Sequence, residues 1–129
     1  PSCINQTHVA SLVDLAPTLL SLIGVEIPGH FQGRDLAPLC HGEPLDAPTC
    51  AFLETEKGAA IRTLSHMYYV PYENDGRHLA ENPLYFFDLV EDPYQLHNLT
   101  QERPTPTPAR ELDEALRGWD AATPWMGSM

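Results

Sequence analysis

At 129 residues the chain is near the commonest domain size, able to bury roughly two-thirds of the surface its unfolded form exposes. Eighteen acidic side chains against seven basic ones leave a net charge of −11. That balance repels nucleic acid and anionic membranes, because binding phosphate depends on Lys and Arg displacing counterions. No apolar run approaches the roughly 18 residues that span a bilayer, and the start, Pro1-Ser2-Cys3-Ile4-Asn5, lacks the basic and apolar regions of a signal peptide. A soluble chain with no nucleic-acid partner and no membrane partner is expected.

The first readable element is a short helix in Ser11-Leu12-Val13-Asp14-Leu15-Ala16-Pro17-Thr18-Leu19-Leu20-Ser21-Leu22-Ile23-Gly24. Asp14 suits the N-cap, Pro17 falls in the first turn where no backbone donor is lost, and Gly24 suits the C-terminal cap. Leu15, Leu19, Leu22 and Ile23 form one apolar face of a buried amphipathic helix. Residues 26–50 then hold Pro28, Gly29, Gly33, Pro38, Gly42, Pro44 and Pro48, which forbid long regular elements and predict a connector.

After the connector the pattern turns β-prone. Runs at 49–54, 59–63 and 66–71 are separated by Thr55-Glu56-Lys57-Gly58 and Leu64-Ser65, and a fourth run at 84–89 ends at the Glu91-Asp92-Pro93 turn. The Asn74-Asp75-Gly76 loop precedes that fourth run. Four antiparallel strands follow. Thr107 is a candidate N-cap with Pro108 at the first helical position, and Leu112, Ala115, Leu116 and Trp119 recur at i, i+3, i+4 and i+7. This helix, 108–119, is expected to cover the sheet, preceded by an extended Pro104 to Pro108 linker and followed by a frayed end from Pro124.

Three ordered blocks carry a family resemblance: Asp14-Leu15 with Pro17-Thr18-Leu19-Leu20, then Pro28, Gln32-Gly33, Leu36, Pro38 and Gly42, and later Asp88-Leu89, Asp92-Pro93 and Asn98-Leu99. In this order, with Glu54 and Ile61-Arg62-Thr63 between them, they resemble the C-terminal part of a sulfatase of the alkaline-phosphatase superfamily, from about Pro1 to Trp119. The chain departs from the family pattern at Asp35 (usually serine), Met67 (lysine), Phe87 (tyrosine) and Gln95 (glutamate).

The resemblance implies an α+β fold: a four-stranded antiparallel sheet covered by a C-terminal helix, preceded by a helix and long loop that close an α/β catalytic domain. Residues 1–48 would be the last helix and connector of that catalytic domain, and 49–129 the C-terminal subdomain. The parent would hydrolyse sulfate esters, or sulfamates, through a formylglycine made from the Cys or Ser of a C/S-x-P-x-R motif, with a divalent metal, calcium or magnesium. Cys3, Cys40 and Cys50 all lack the Pro and Arg of that motif, so no catalytic residue, metal ligand or cofactor is placed in this chain. It reads as a fragment beginning after the last catalytic strand, and as inactive alone. Its implied partners are the missing N-terminal catalytic domain and a small sulfated substrate. The parent could be cytoplasmic, periplasmic or secreted. Two alternatives stand beside this reading: the tail of a phosphonate or phosphate monoester hydrolase of the same superfamily, and a stand-alone interaction module.

Single residues carry less. Three cysteines without C-x-x-C spacing signal neither a disulfide framework nor a zinc site. Asp88, Asp92 and Asn98 are oxygen ligands close in sequence, but turn chemistry accounts for them better. His66, on a strand, and Glu54 are the candidates for lining a substrate pocket, and His8 could reach a pocket wall. Arg62 is expected to pair with a carboxylate such as Glu54. Two sequons, Asn5-Gln6-Thr7 and Asn98-Leu99-Thr100, occur, the second already part of the family pattern. The face of Leu12, Leu15, Leu19 and Leu22 needs a larger sheet; without one, a homo-oligomer of the fragment is expected.

Overall fold

The computed structural model describes residues 7–46, 49–74, 76–102 and 106–123. They divide into two units, Pro1–Ala51 and Phe52–Met129. Asn5 and Gln6 of the first sequon, Pro104 and Thr105 of the linker and the tail from Pro124 lie outside the described residues, while Thr107 and Pro108 belong to the C-terminal helix.

In the first unit a 3-10 turn, Leu12–Asp14, runs directly into helix α1, Leu15–Leu22. Pro17 costs nothing there, since its missing N–H falls among those without an intrahelical acceptor. The helix ends in a paired cap: Val25 N–H reaches Leu20 O at 2.9 Å and Gly24 N–H reaches Ser21 O at 3.0 Å. Gly24 takes the left-handed φ of 71° this closure requires. The connector forms one further short helix, α2, Ala37–Cys40. Asp35 Oδ1 accepts from the Ala37 N–H at 2.8 Å, so the aspartate standing where serine is usual still holds a free amide at a helix start.

The apolar face read from the α1 periodicity is exposed in this chain, as expected of a face that needs a larger sheet. Leu15, Leu19, Leu22 and Ile23 are exposed, and Leu12 is 88% exposed. The inward stripe is Asp14, Pro17 and Thr18, at i, i+3 and i+4, packed toward α2. The leucines occupy the opposite side, so hydrophobic periodicity located the stripe while the buried face belongs to the polar one.

The second unit's sheet runs β1 (Cys50–Thr55), β2 (Gly58–Thr63), β3 (His66–Pro71) and β4 (Tyr85–Asp88) in sequential order. Both resolved pairings are antiparallel: Ile61 lies opposite Tyr68, and Tyr68 opposite Phe86. Between β3 and β4 the chain folds on itself, with Glu73 N–H bonded to His78 O at 2.7 Å and Ala80 N–H to Pro71 O at 2.8 Å.

Helix α3, Thr107–Ala122, lies over β2 and β3. Its N-cap is Pro106, one residue before Thr107, and no side chain caps it. Its inward positions are Ala109, Leu112 and Leu116; Ala115 is exposed, and Ala109 takes the inward place one turn before Leu112. Trp119 is half-buried and stacks on Phe52 at 4.9 Å and 3° between ring planes. Ala59, Ile61, Tyr68, Val70 and Phe86 complete the core beneath the helix.

Candidate functional site

In the first unit the polar residues converge on one node. Asp14 is 1% exposed, so its charge must be met inside the protein. Oδ2 accepts the Ser11 N–H at 2.9 Å and Arg34 Nη2 at 3.1 Å, while Oδ1 accepts the Arg34 N–H at 2.8 Å. Thr18 extends the node: its hydroxyl donates to Asp14 O at 2.6 Å and accepts the Leu36 N–H at 2.9 Å. Gly33 permits the approach, because a Cβ there would run into the Val13 carbonyl. Asp14, Thr18 and Gly33 therefore clamp the connector onto the helix start. Nearby Cys50 has its thiol pushed up by burial, partly offset by Arg34, the reverse of what activates a nucleophile.

In the second unit the turn after β4 consumes the acidic motif. Asp88 Oδ1 accepts the N–H groups of Val90 at 2.9 Å and Glu91 at 3.2 Å, and these two bonds hold its carboxyl below the ordinary range. Asp92 Oδ2 accepts the His97 N–H at 2.7 Å, its carbonyl accepts Gln95 N–H at 3.0 Å, and Gln95 sits at a φ of 58°. Asn98 Oδ1 accepts Phe86 N–H at 3.1 Å and Thr100 N–H at 3.2 Å, and Nδ2 donates to Leu84 O at 2.9 Å. One amide thus stands in for a neighbouring strand along the outer edge of β4. The turn reading holds for Asp88 and Asp92, while Asn98 bonds Thr100 locally and mainly ties the segment back to β4. Each side chain gives an oxygen to a backbone donor of this chain, and no group of three or more acids, histidines or cysteines that could hold a metal occurs among the described residues.

The two pocket candidates are not brought together. His66 starts β3, half-buried, its Nδ1 2.8 Å from Ser65 Oγ and its ring stacked on Phe86 at 5.6 Å. Glu54 is exposed on β1 and accepts from the Tyr72 hydroxyl at 3.4 Å, just past the other end of β3. Six residues of strand, about 3.3 Å each, separate the two positions along β3. Arg62 is exposed and forms no ion pair with Glu54. His8 lies beside its neighbour Thr7, whose hydroxyl is 2.9 Å from Nδ1.

A cleft of about 400 Å³ opens beside α3, lined by Tyr68, Phe86, Leu99, Arg110, Asp113 and Glu114 among others. Tyr68 and Asp113 on its wall are paired with each other. The Tyr68 hydroxyl donates to Asp113 Oδ1 at 3.0 Å, and Arg117 Nε donates to Asp113 Oδ2 at 2.9 Å. Arg117 Nη2 reaches on to Ala80 O at 2.8 Å. Burial first, then the bond to Asp113, raises the Tyr68 phenol above its ordinary value, so it remains a neutral donor rather than a base. This relay ties α3 to the β3–β4 loop. Only the i, i+4 spacing of Asp113 and Arg117 announced it in sequence.

No family model matches the chain. An ulvan-active sulfatase from Formosa agariphila is 31% identical over 113 residues, covering 80% of this chain and 20% of that protein. An arylsulfatase K from Xenopus laevis is 34% identical over 122 residues, covering 84% of this chain and 22% of that protein. The chain belongs to the sulfatase family and corresponds to the C-terminal portion of its members. It spans about a fifth of the length of these sulfatases. The fold agrees with a protein solved in complex with its substrate D-glucosamine-2-N,6-O-disulfate, at a TM-score of 0.66 and 23% identity, covering 84% of this chain and 23% of that one. The α+β fold of a four-stranded antiparallel sheet with a C-terminal helix is that of the C-terminal part of sulfatase structures. Sulfatase relatives do not favour the phosphonate or phosphate ester alternative.

Proposed function

We propose that this sulfatase portion is the subdomain that completes and braces a catalytic domain hydrolysing sulfate esters or sulfamates of sugars. The observation that supports it most is the use of the family pattern's polar residues. Asp14, Thr18, Asp88, Asp92 and Asn98 are occupied with backbone donors and carbonyls of this chain. Residues so employed hold a shape and are poor candidates for bond-making. The formylglycine nucleophile, the calcium or magnesium ion and the groups that grip sulfate then belong to the catalytic domain. An acidic portion would repel the anionic substrate, which supports sulfate binding by the catalytic domain. Sugar sulfates are the favoured class because the similar proteins include an ulvan-active sulfatase and a protein whose substrate is a glucosamine disulfate.

The test compares this chain with the full product of its reading frame, each given aryl sulfate and sulfated sugars with calcium and magnesium. Sulfate release by the full product and none by the chain alone is expected. Turnover by the chain alone that survives repurification and tracks its concentration would overturn the division of labour. A full product that contains no C/S-x-P-x-R motif and releases no sulfate would overturn the enzymatic reading.

A further inference from the structure

The cleft beside α3 has an apolar floor and an unengaged polar rim. Tyr68 of β3, Phe86 of β4 and Ala109 of α3 line it and are each at most 5% exposed, and half-buried Pro83 and Leu99 extend the apolar lining. Its walls are fixed by contacts within this unit. Tyr68 is bonded to Asp113 at 3.0 Å, Leu112 and Leu116 hold α3 down, and Asn98 ties the Leu99–Gln101 turn to β4 by accepting the N–H groups of both Thr100 and Phe86. The rim carries Asn82, Gln101, Arg110 and Glu114, all exposed. Among the described residues no side-chain hydrogen bond or ion pair engages any of these four. Arg110 and Glu114 even share the i, i+4 spacing that pairs Asp113 with Arg117 on the same helix, and they remain unpaired.

At about 400 Å³ the cleft falls within the range of small-ligand sites, roughly 300–1,000 Å³. Its chemistry selects the ligand. The two amides offer both donors and acceptors, Arg110 offers donors and Glu114 acceptors, a set that suits hydroxyl groups, each of which donates and accepts. An apolar floor beneath such a rim fits a ring with C–H faces and hydroxyls around its edge. Charge selects further. Glu102, Asp113 and Glu114 line the cleft with Arg110 as the cation among them, and Asp113 is already met by Arg117, so a sulfate group would face more carboxylate than cation. We propose that this cleft binds a neutral, unsulfated sugar residue of the glycan that carries the sulfate ester. This rests on the sugar-sulfate reading above. A glycan held through an unsulfated unit keeps its sulfated units at a raised local concentration, in the manner of any second binding contact on one chain.

An amide-resolved NMR titration of the chain tests this, with glucose, galactose, rhamnose and N-acetylglucosamine as the neutral probes and N-acetylglucosamine 6-sulfate as the charged one. At least one neutral sugar is expected to give saturable shifts at Asn82, Gln101 and Arg110, and the sulfated probe weaker ones than its neutral counterpart. Gln101→Ala and Glu114→Ala, both at exposed positions, should weaken binding about five- to tenfold, the loss of one or two hydrogen bonds. Glu111→Ala, exposed on α3 but outside the cleft, should leave it unchanged. Shifts at the cleft from none of the neutral sugars, or equal weakening by Glu111→Ala, overturn the site. Tighter binding of the sulfated probe overturns the neutral assignment. A full reading-frame product that releases sulfate from sulfated sugars, while the chain binds no neutral sugar, overturns the cleft proposal and leaves the sulfatase reading intact. Neutral-sugar binding by the chain, with no sulfate released by the full product, supports the cleft and overturns that reading instead.

Discussion

Leu116 is the residue on which the second unit's packing can be tested most sharply. It is fully buried, 0% exposed, on the inward stripe of α3 above β2 and β3. Truncating a buried Leu to Ala costs the transfer of the lost groups plus the cavity left behind, about 2–5 kcal/mol. Set against a total stability of about 5–15 kcal/mol for a domain, Leu116→Ala leaves a unit that still folds, and Leu116→Asp, which buries an unpaired carboxylate, leaves one that does not. For a domain of this size each kcal/mol moves the midpoint by about 4–8 °C, so Leu116→Ala should melt at least about 8 °C below the parent. Trp119→Ala is expected to cost roughly half of the 3–5 kcal/mol of a core Trp, because the ring is half-buried and covered mainly by Phe52. Ala115→Glu, one residue away on the exposed side, should leave the melt unchanged. The assay is a circular-dichroism melt of all four variants at one protein concentration. If Ala115→Glu and Leu116→Ala shift the midpoint equally, α3 is rotated from the orientation described and the packing argument fails.

Three further outcomes are expected. The raised Tyr68 phenol contributes stability that is fully present below the unfolded value near pH 10 and is lost as pH rises beyond it, because the unfolded chain releases that proton first; Tyr68→Phe should flatten the alkaline fall in a pH series of denaturant melts, and an equally steep fall would remove Tyr68 as its source. Asn98→Ala strands the Phe86 N–H and Leu84 carbonyl at the edge of β4, at a cost of about 1–3 kcal/mol, visible as faster amide exchange at Phe86; unchanged exchange would show that the edge is held by something else. The exposed stripe of Leu12, Leu15, Leu19 and Leu22, worth roughly 1.5–3 kcal/mol per leucine when buried, should make the isolated chain self-associate. Leu15→Glu with Leu19→Glu should return it to monomer in sedimentation, and a clean monomer for the parent at high micromolar concentration would contradict this.

How far the sequence could be read follows from which interactions are local. The strand runs, hairpin turns and α3 rest on period-2 and period-3.6 patterns within a few residues, and the structure places them at nearly the same bounds: β3 at His66–Pro71 as expected, β4 one residue shorter at each end of the run. The turn chemistry of Asp88 and Asp92 was legible for the same reason, since each side chain bonds a backbone a few residues away, whereas Asn98 bonds locally only to Thr100 and otherwise reaches back to Leu84 and Phe86. Pairings across long separations were not. Asp14 meets Arg34 twenty positions on, and Tyr68 meets Asp113 forty-five positions on; no periodicity encodes either. The expected Arg62–Glu54 pair failed because sharing a hairpin does not fix which face each long side chain uses. The α1 face is the most instructive. Hydrophobic periodicity identifies a face that needs covering, and it is silent on whether the cover lies within the same chain. In this portion the inward face is held by a carboxylate, a threonine and a proline, which is stable only because each polar atom finds a backbone partner. A helix that turns its polar side inward and leaves Leu15, Leu19 and Leu22 outward carries an apolar face that its own unit does not cover.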